Sequence, residues 1–313
     1  MTIRRFQTRV TQSRYALPVM IGVALCVWWI AGLKEHGWYV QLITLLVSTY
    51  LMVELNTNNA LLHMYSRMVS CAFLTLTIMA SFLFPSAKTA FCILSYVMFC
   101  TLIFNAYQDN HAQGTAYYAF LCLGLSSIYC VQILFLAPFL WLLSVIYLKA
   151  FSFKMLWASL LGLITPYWFL VCIDIGTGHI SSFVNHFKNL IKFAPLFSFE
   201  GFTVNEVITY GFSALLMIIG AVYYLMKKRP DRVRTRMIYH FFIASCSLFV
   251  VAFLLQPQHR ESIYGMFMVS ASPLIAHFFA STHTRPSNWF FSFVLMISSC
   301  IIALNLWKPS LTF

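Results

Sequence analysis

Long apolar stretches alternate with short polar connections along most of the chain. A transmembrane helix needs about 20 predominantly apolar residues, and somewhat fewer suffice where the bilayer thins. Eleven stretches approach that length, and they cover approximately residues 15–33, 38–55, 68–84, 89–106, 115–130, 131–148, 153–173, 207–226, 238–255, 266–281 and 289–306. The pattern predicts an all-α, polytopic membrane protein with about 11 transmembrane helices in a single integral membrane domain over residues 1–313.

The run from residue 115 to residue 148 leaves one detail of this map open. Its polar interruption consists of Ser126, Ser127 and Gln132, so two full spans or a re-entrant hairpin would both fit. Either solution returns the chain to the side from which it came. A single crossing would instead invert every later loop, and we reject it because of the charge distribution.

The distribution of basic residues sets the orientation. With the N-terminus inside, the cytoplasmic segments hold 14 of the 20 Lys and Arg residues, namely Arg4, Arg5, Arg9, Arg14, Arg67, Lys149, Lys154, Lys227, Lys228, Arg229, Arg232, Arg234, Arg236 and Arg285. This excess is what the positive-inside rule requires. We therefore predict a basic cytoplasmic tail over residues 1–14, a basic cytoplasmic loop over residues 227–237 and a periplasmic C-terminus.

This orientation can be tested by reporter fusions or cysteine labelling in intact cells. Residue 231 should lie in the cytoplasm and residue 198 in the periplasm, because one predicted span, residues 207–226, separates them. Finding both positions on the same side of the membrane would overturn the map.

Composition excludes a soluble globular protein. Of the 313 residues, 61% are hydrophobic and only 9% are charged, whereas soluble domains carry about 25% charged residues. The mean hydropathy of +0.80 leaves no room for a large water-soluble domain. The net charge of +12 is mostly a topology signal, and we expect no nucleic-acid partner because no folded extramembrane domain carries a basic patch.

Common catalytic motifs are absent from the sequence. It contains no G-x-x-x-x-G-K-[ST] phosphate loop, no H-E-x-x-H zinc motif and no G-x-S-x-G nucleophile turn. We therefore expect no cofactor and no metal site. Whether the protein is an enzyme stays open at this point.

The long outer segment over residues 174–206 is predicted to contain one interfacial amphipathic helix. Its apolar residues recur with helical spacing at Ile180, Phe183, Val184, Phe187, Leu190 and Ile191. Such a helix lies flat at the membrane surface with its polar face toward the headgroups. It is either a collar that covers the helix bundle or a platform for a lipid-linked substrate.

The platform hypothesis supplies the candidate site residues. On the polar face, Asn185, Lys188, Asn189 and Lys192 would meet a phosphate or pyrophosphate, while Asp174, Glu200 and Glu206 are the candidate catalytic acids or bases. A separate pattern lies at the inner end of the second and third spans. There Glu54 is predicted to pair with Arg67 or His63 across the turn and lock the hairpin.

Several short motifs resemble a family of multipass inner-membrane proteins found across Bacteroidota that share a domain of unknown function. They are Glu54-Leu55-Asn56-Thr57-Asn58-Asn59, Phe84-Pro85, Gly124-Leu125-Ser126-Ser127-Ile128-Tyr129, Phe151-Ser152-Phe153-Lys154 with Trp157, Gly162 and Pro166, and Pro273 followed by His277-Phe278-Phe279. The resemblance implies a helical protein of the bacterial inner (cytoplasmic) membrane of a Gram-negative cell. It implies no catalytic residues. A looser similarity extends to polytopic glycosyltransferases and glycan polymerases that use lipid-linked donors.

Three hypotheses of function follow. The first is a protein of cell-envelope biogenesis that binds or processes a lipid-linked (glycan) substrate at the outer interface. The second is a noncatalytic scaffold or subunit of an envelope complex, and the third is a lipid or small-molecule transporter. The predicted partners are membrane lipids, with a lipid-linked glycan and other membrane proteins as further candidates.

Overall fold

A computed structural model of the chain describes residues 6–62, 64–149, 152–177, 187–188, 190, 202–226, 232–282 and 284–307. Every regular element within these ranges is helical, and they contain no β-strand. The predicted all-α class is confirmed for this part of the chain.

The α-helices of the described ranges are numbered here in chain order. They are α1 (Phe6–Gln12), α2 (Ala16–Ile30), α3 (Leu33–His36), α4 (Tyr39–Asn59), α5 (Met68–Met79), α6 (Ala87–Ile103), α7 (Gln113–Tyr129), α8 (Ile133–Leu143, continued by a π-helical turn over Ser144–Leu148), α9 (Phe153–Thr177), α10 (Val204–Met226), α11 (Val233–Leu255), α12 (Arg260–Ser281) and α13 (Arg285–Trp307).

Each of the eleven apolar stretches coincides in large part with one of these helices, but the helices differ in length. In the described ranges seven are long and apolar enough to cross a membrane: Tyr39–Asn59, Ala87–Ala106, Phe153–Gly176, Val204–Met226, Val233–Leu255, Pro257–Ser281 and Arg285–Trp307. Helices α1 and α2, bent by 91° relative to each other, add an eighth if they are taken as one span. The count of eleven crossings stays a prediction.

Helix α5 shows why hydropathy alone overstates the length of a span. The predicted span over residues 68–84 is a helix of 12 residues followed by a short 3-10 turn at Ser81–Leu83. At 1.5 Å per residue such a helix is about 18 Å long, whereas the hydrocarbon layer is about 30 Å thick. Eleven of its twelve residues are buried. Its apolar character therefore reflects burial in protein.

The described helices fall into two compact units. The first unit comprises Met1–Ala87, Phe199–Thr235 and Met268–Phe313, and so contains α1 to α5, α10, α13 and most of α12. Within it, the Asn305 side chain on α13 donates to the Met79 carbonyl at 2.6 Å and to the Thr209 hydroxyl at 2.9 Å. Hydrogen bonds of this kind join helices where lipid offers no alternative partner.

The second unit comprises Lys88–Ser198 and Arg236–Phe267. Its α7 and α9 pack closely along their length. The hydroxyl of Ser127 on α7 and the hydroxyl of Tyr167 on α9 form a hydrogen bond of 2.7 Å. The run over residues 115–148 forms two helices, α7 and α8, which are separated by Cys130–Gln132. The backbone N–H of Gln108, just before α7, donates to the carbonyl of Leu148 at 3.0 Å, so the run folds back as a helical hairpin, as both solutions left open by the sequence require.

Candidate functional site

The carboxylates predicted as acids or bases lie in different parts of the fold. Asp174 lies in the last turns of α9, in the second unit, and is half-buried. Glu206 lies in the first turn of α10, in the first unit, and is buried. Glu200 lies outside the described residues.

Glu206 has a clear role in starting its helix. Its carboxylate accepts a hydrogen bond from the backbone N–H of Thr203 at 3.3 Å, and the Thr203 hydroxyl accepts one from the backbone N–H of Glu206 at 3.3 Å. This reciprocal pair is a capping box, which satisfies backbone donors that a helix start leaves open. The spacing Thr203-x-x-Glu206 is visible in the sequence and could have identified this role there.

The predicted interfacial helix and its substrate-binding residues fall mostly outside the described residues, and these include Asn185, Asn189 and Lys192. Of its two consecutive described positions, Phe187 lies beside the ring of Tyr167 with ring centroids 5.1 Å apart, while Lys188 is exposed. The interfacial helix and its contact with lipid headgroups stay a prediction.

The predicted lock between Glu54 and Arg67 is not formed among the described residues. Glu54 accepts a hydrogen bond from Asn58 one helical turn later, and Arg67 donates to the hydroxyl of Tyr65 at 3.1 Å. Instead, the turn is held by the Asn56 side chain, which donates to the Ser66 carbonyl at 2.9 Å. His63 lies outside the described residues.

The described residues of the first unit enclose a mostly apolar cavity of about 510 Å³. Its walls come from six helices, α1, α2, α5, α10, α12 and α13, and from the bend between α1 and α2. The lining residues are Phe6, Arg9, Val10, Ser13, Tyr15, Ala16, Val19, Met20, Met68, Cys71, Ala72, Thr75, Leu76, Met79, Leu216, Ile275, Phe279, Phe291, Val294, Leu295 and Ser298. Its volume lies within the range of about 300–1,000 Å³ that is typical of small-molecule sites.

Helical periodicity explains how α5 and α13 form two of these walls. The lining positions of α5 are residues 68, 71, 72, 75, 76 and 79, and those of α13 are residues 291, 294, 295 and 298. Both series follow the i, i+3, i+4 spacing of a single helix face. The middle of the α5 face carries the small side chains Cys71, Ala72 and Thr75, which leave space where larger residues would close it.

The cavity also depends on the sharp bend between α1 and α2. Because these helices are bent by 91° at residues 13–15, α1 contributes Phe6, Arg9 and Val10 to one wall and α2 contributes Val19 and Met20 to another. The periodicity of one helix cannot reveal a cavity that six helices form together. The cavity could therefore not be predicted from the sequence.

Helix α1 is held in place by the amide of Gln7, whose side chain is buried. Its Nε2 atom donates to the carbonyl of Phe279 at 2.7 Å, and to the carbonyl and hydroxyl of Thr282 at 3.1 and 3.0 Å. Its Oε1 atom accepts from the Ser287 hydroxyl at 2.9 Å, and its backbone N–H donates to the Asn288 side chain at 2.9 Å. Helix α1 is thereby fixed to the end of α12 and the start of α13.

The second attachment of α1 is to the turn after α4. The Ser66 hydroxyl donates to the carbonyl of Thr11, and the Gln12 side chain lies 3.4 Å from the sulfur of Met64. In this turn Arg67, through its hydrogen bond and its charge, lowers the pKa of Tyr65, and Arg14 contributes further in the same direction. Both arginines thus favour the ionised form of the exposed Tyr65 side chain.

A metal site within the described ranges would need a group of side chains that could bind the ion. No three His, Cys, Asp or Glu side chains there lie close enough together to hold a metal ion. Comparison with known proteins adds no further guide: no family model, no curated protein and no solved structure matches this chain. Any assignment of function rests on the geometry.

Proposed function

We propose that this chain is an integral inner-membrane protein of cell-envelope biogenesis that binds a lipid or lipid-linked substrate, and that the cavity of the first unit holds the hydrocarbon chain of that lipid. The observation that carries this proposal is the cavity of about 510 Å³, whose lining is mostly apolar. In a protein rich in membrane-length apolar helices, hydrocarbon is the apolar ligand at the highest local concentration.

The chemistry of the lining fits an alkyl chain. Aliphatic side chains, methionines and Phe279 and Phe291 cover most of the surface, and Thr75 and Ser298 each direct their hydroxyl to a carbonyl of their own helix. Burial of hydrocarbon stabilises a complex by about 0.8 kcal/mol per methylene group. A chain of several methylenes thus gains enough free energy to bind without any polar contact.

Whereas the sequence predicted a lipid-linked substrate at the outer interface, the proposed ligand lies in the cavity of the first unit. Because α1 forms part of its wall, the orientation predicted from charge places the mouth near the cytoplasmic leaflet. The hypothesis of a platform at the outer interface, with Lys188 and Lys192, stays a separate prediction.

Filling the cavity should test the proposal. Thr75→Trp inserts a large ring at the middle of the α5 face, and we expect it to lower labelling by a phospholipid with a photoactivatable acyl chain at least about tenfold. Losing contact with two methylenes already exceeds the 1.4 kcal/mol that corresponds to a factor of ten. Mass spectrometry of labelled peptides should place the wild-type label on α5 and α13.

The matched control is Ile43→Trp, an equally large ring placed on α4 at a side chain that is 60% exposed and does not line the cavity. It should leave labelling of α5 and α13 unchanged. Equal labelling of both variants, or wild-type label that is spread evenly over α4, would contradict the proposal and favour the noncatalytic scaffold.

A further inference from the structure

We infer that the lipid in this cavity carries an anionic phosphate ester, and that Arg9 at the mouth of the cavity binds this phosphate. The inference rests on the proposed function and adds the chemical class of the headgroup. It follows from the position of one cation on the cavity face of α1.

Arg9 occupies an unusual place for a charged residue on a short amphipathic helix. Phe6, Arg9, Val10 and Ser13 follow one another at i, i+3, i+4 and i+7, so they share a face, and all four line the cavity. Arg9 itself is exposed to solvent. Its apolar stem therefore covers the wall, while the guanidinium group reaches water at the mouth, as long basic side chains do at apolar surfaces.

The backbone that carries Arg9 is fixed on both sides. Before it, the buried Gln7 bonds to the segment from Phe279 to Asn288, and after it, Thr11 accepts the hydrogen bond from Ser66. A binding group that is already held in position loses less conformational entropy when the ligand arrives. Arg9 thus gains affinity from the attachment of α1.

The electrostatic surroundings favour an anion at this place. Arg14 follows Arg9 on the same segment, and Arg67 lies in the turn whose Ser66 hydroxyl donates to Thr11 at the end of α1. Glu54, near the end of α4, accepts a hydrogen bond from Asn58. A planar guanidinium group offers paired N–H donors that match two oxygens of a phosphate.

A lipid phosphate fits this arrangement better than a free phosphate. One exposed arginine binds a dissolved anion weakly because water competes for the same hydrogen bonds. A phosphate that is linked to hydrocarbon in the adjoining cavity is held at high effective concentration beside Arg9. We therefore assign the site to a lipid headgroup.

The test uses the full chain in detergent with four probes: dioleoylphosphatidylglycerol, dioleoylphosphatidylcholine, dioleoylglycerol and inorganic phosphate. The first three share their acyl chains. Phosphatidylglycerol carries a phosphodiester with a net negative charge, phosphatidylcholine carries a phosphodiester whose charge is balanced by choline, and dioleoylglycerol carries no phosphate. We expect native mass spectrometry to show phosphatidylglycerol bound about fivefold more tightly than dioleoylglycerol, because one basic residue near a membrane surface contributes about 1 kcal/mol. Phosphatidylcholine should bind with an intermediate affinity, because its choline group competes with Arg9 for the phosphate. Inorganic phosphate alone should not bind measurably.

Substitutions should show which residue causes the tighter binding of phosphatidylglycerol. Arg9→Gln should abolish it, and Arg9→Lys should keep part of it, since lysine retains the charge without the paired donors. Arg232→Gln is the matched control, because Arg232 is an exposed cation of the same unit that does not line the cavity. It should leave the preference unchanged.

The outcomes separate this inference from the proposed function. If all three lipids bind equally, or if Arg9→Gln keeps the preference, while Thr75→Trp weakens every lipid, the headgroup assignment is wrong and the cavity still binds hydrocarbon. If Thr75→Trp weakens none of them, the proposed function itself fails. Binding of inorganic phosphate as tightly as phosphatidylglycerol would assign Arg9 to a free anion and overturn the lipid headgroup.

Discussion

Replacement of Gly162 by alanine should destabilise the second unit by about 3 kcal/mol, the upper part of the range for inserting a methyl group into a packed interior. A Cβ atom at Gly162 on α9 would lie 2.3 Å from the carbonyl oxygen of Tyr117 on α7, and 3.1 Å from the backbone nitrogen of Leu121. Both are backbone atoms of a helix, so no side chain can turn aside. The two helices would have to separate.

A second glycine makes the same contact from the opposite helix. A Cβ at Gly124 on α7 would lie 2.7 Å from the carbonyl oxygen of Leu163 on α9. Together the two glycines let the backbones of α7 and α9 approach closely, which is how small residues promote helix packing in membranes. Gly124→Ala should therefore act in the same direction as Gly162→Ala.

Thermal unfolding in detergent, followed by size-exclusion chromatography, measures this effect. The controls are Gly114→Ala on α7 and Gly176→Ala on α9, because an added Cβ at either position meets no atom within 4 Å. Since alanine favours a helix interior over glycine by about 1 kcal/mol, these controls should be neutral or slightly stabilising. A melting temperature for Gly162→Ala equal to that of the controls would contradict the close approach of α7 and α9.

The location of the helices could be predicted from the sequence because apolar runs of the required length leave few alternatives. The run over residues 68–84 shows the limit of that reasoning. Its hydropathy is that of a lipid-facing span, yet Phe73, Leu74 and Ile78 are fully buried in protein. Hydropathy measures the preference of a segment for leaving water and does not distinguish lipid from a protein interior.

The candidate site could be predicted only in part, because the role of a polar side chain depends on its partners in the folded protein. Glu206 was selected as an acid because of its charge and location, whereas its hydrogen bonds with Thr203 are those of a helix cap. In the sequence, Arg9 is one of the basic residues that set the predicted orientation. Its function as a ligand contact depends on which residues of α2, α5 and α13 face it, and this is set by tertiary packing.

Gln7→Leu should release α1 from the first unit and thereby open the cavity. The leucine side chain has a similar size but makes none of the four side-chain hydrogen bonds of Gln7, to Phe279, to Thr282 twice and to Ser287. Each such bond contributes about 1 kcal/mol, and the groups left unsatisfied in a buried place add a further penalty. We expect a loss of about 3 kcal/mol in the free energy that holds α1 in place.

Limited proteolysis reports this local opening directly. Trypsin cleaves after Arg9 and Arg14, and its rate on the folded protein follows the population of the undocked helix when opening is fast. A loss of about 3 kcal/mol corresponds to more than a hundredfold faster cleavage, since 1.4 kcal/mol is a factor of ten. Binding of phosphatidylglycerol should fall at the same time, because α1 supplies Phe6, Arg9 and Val10 to the cavity.

The control, Gln12→Leu, places the same substitution on the same helix. The Gln12 amide makes one weak contact, with the sulfur of Met64 at 3.4 Å, so its loss should change cleavage only a few-fold. Cleavage of Gln7→Leu at the rate of Gln12→Leu would show that the buried amide does not hold α1. Fast cleavage with unchanged lipid binding would show that α1 is released without affecting the ligand, and Arg9 could then no longer be the residue that selects the headgroup.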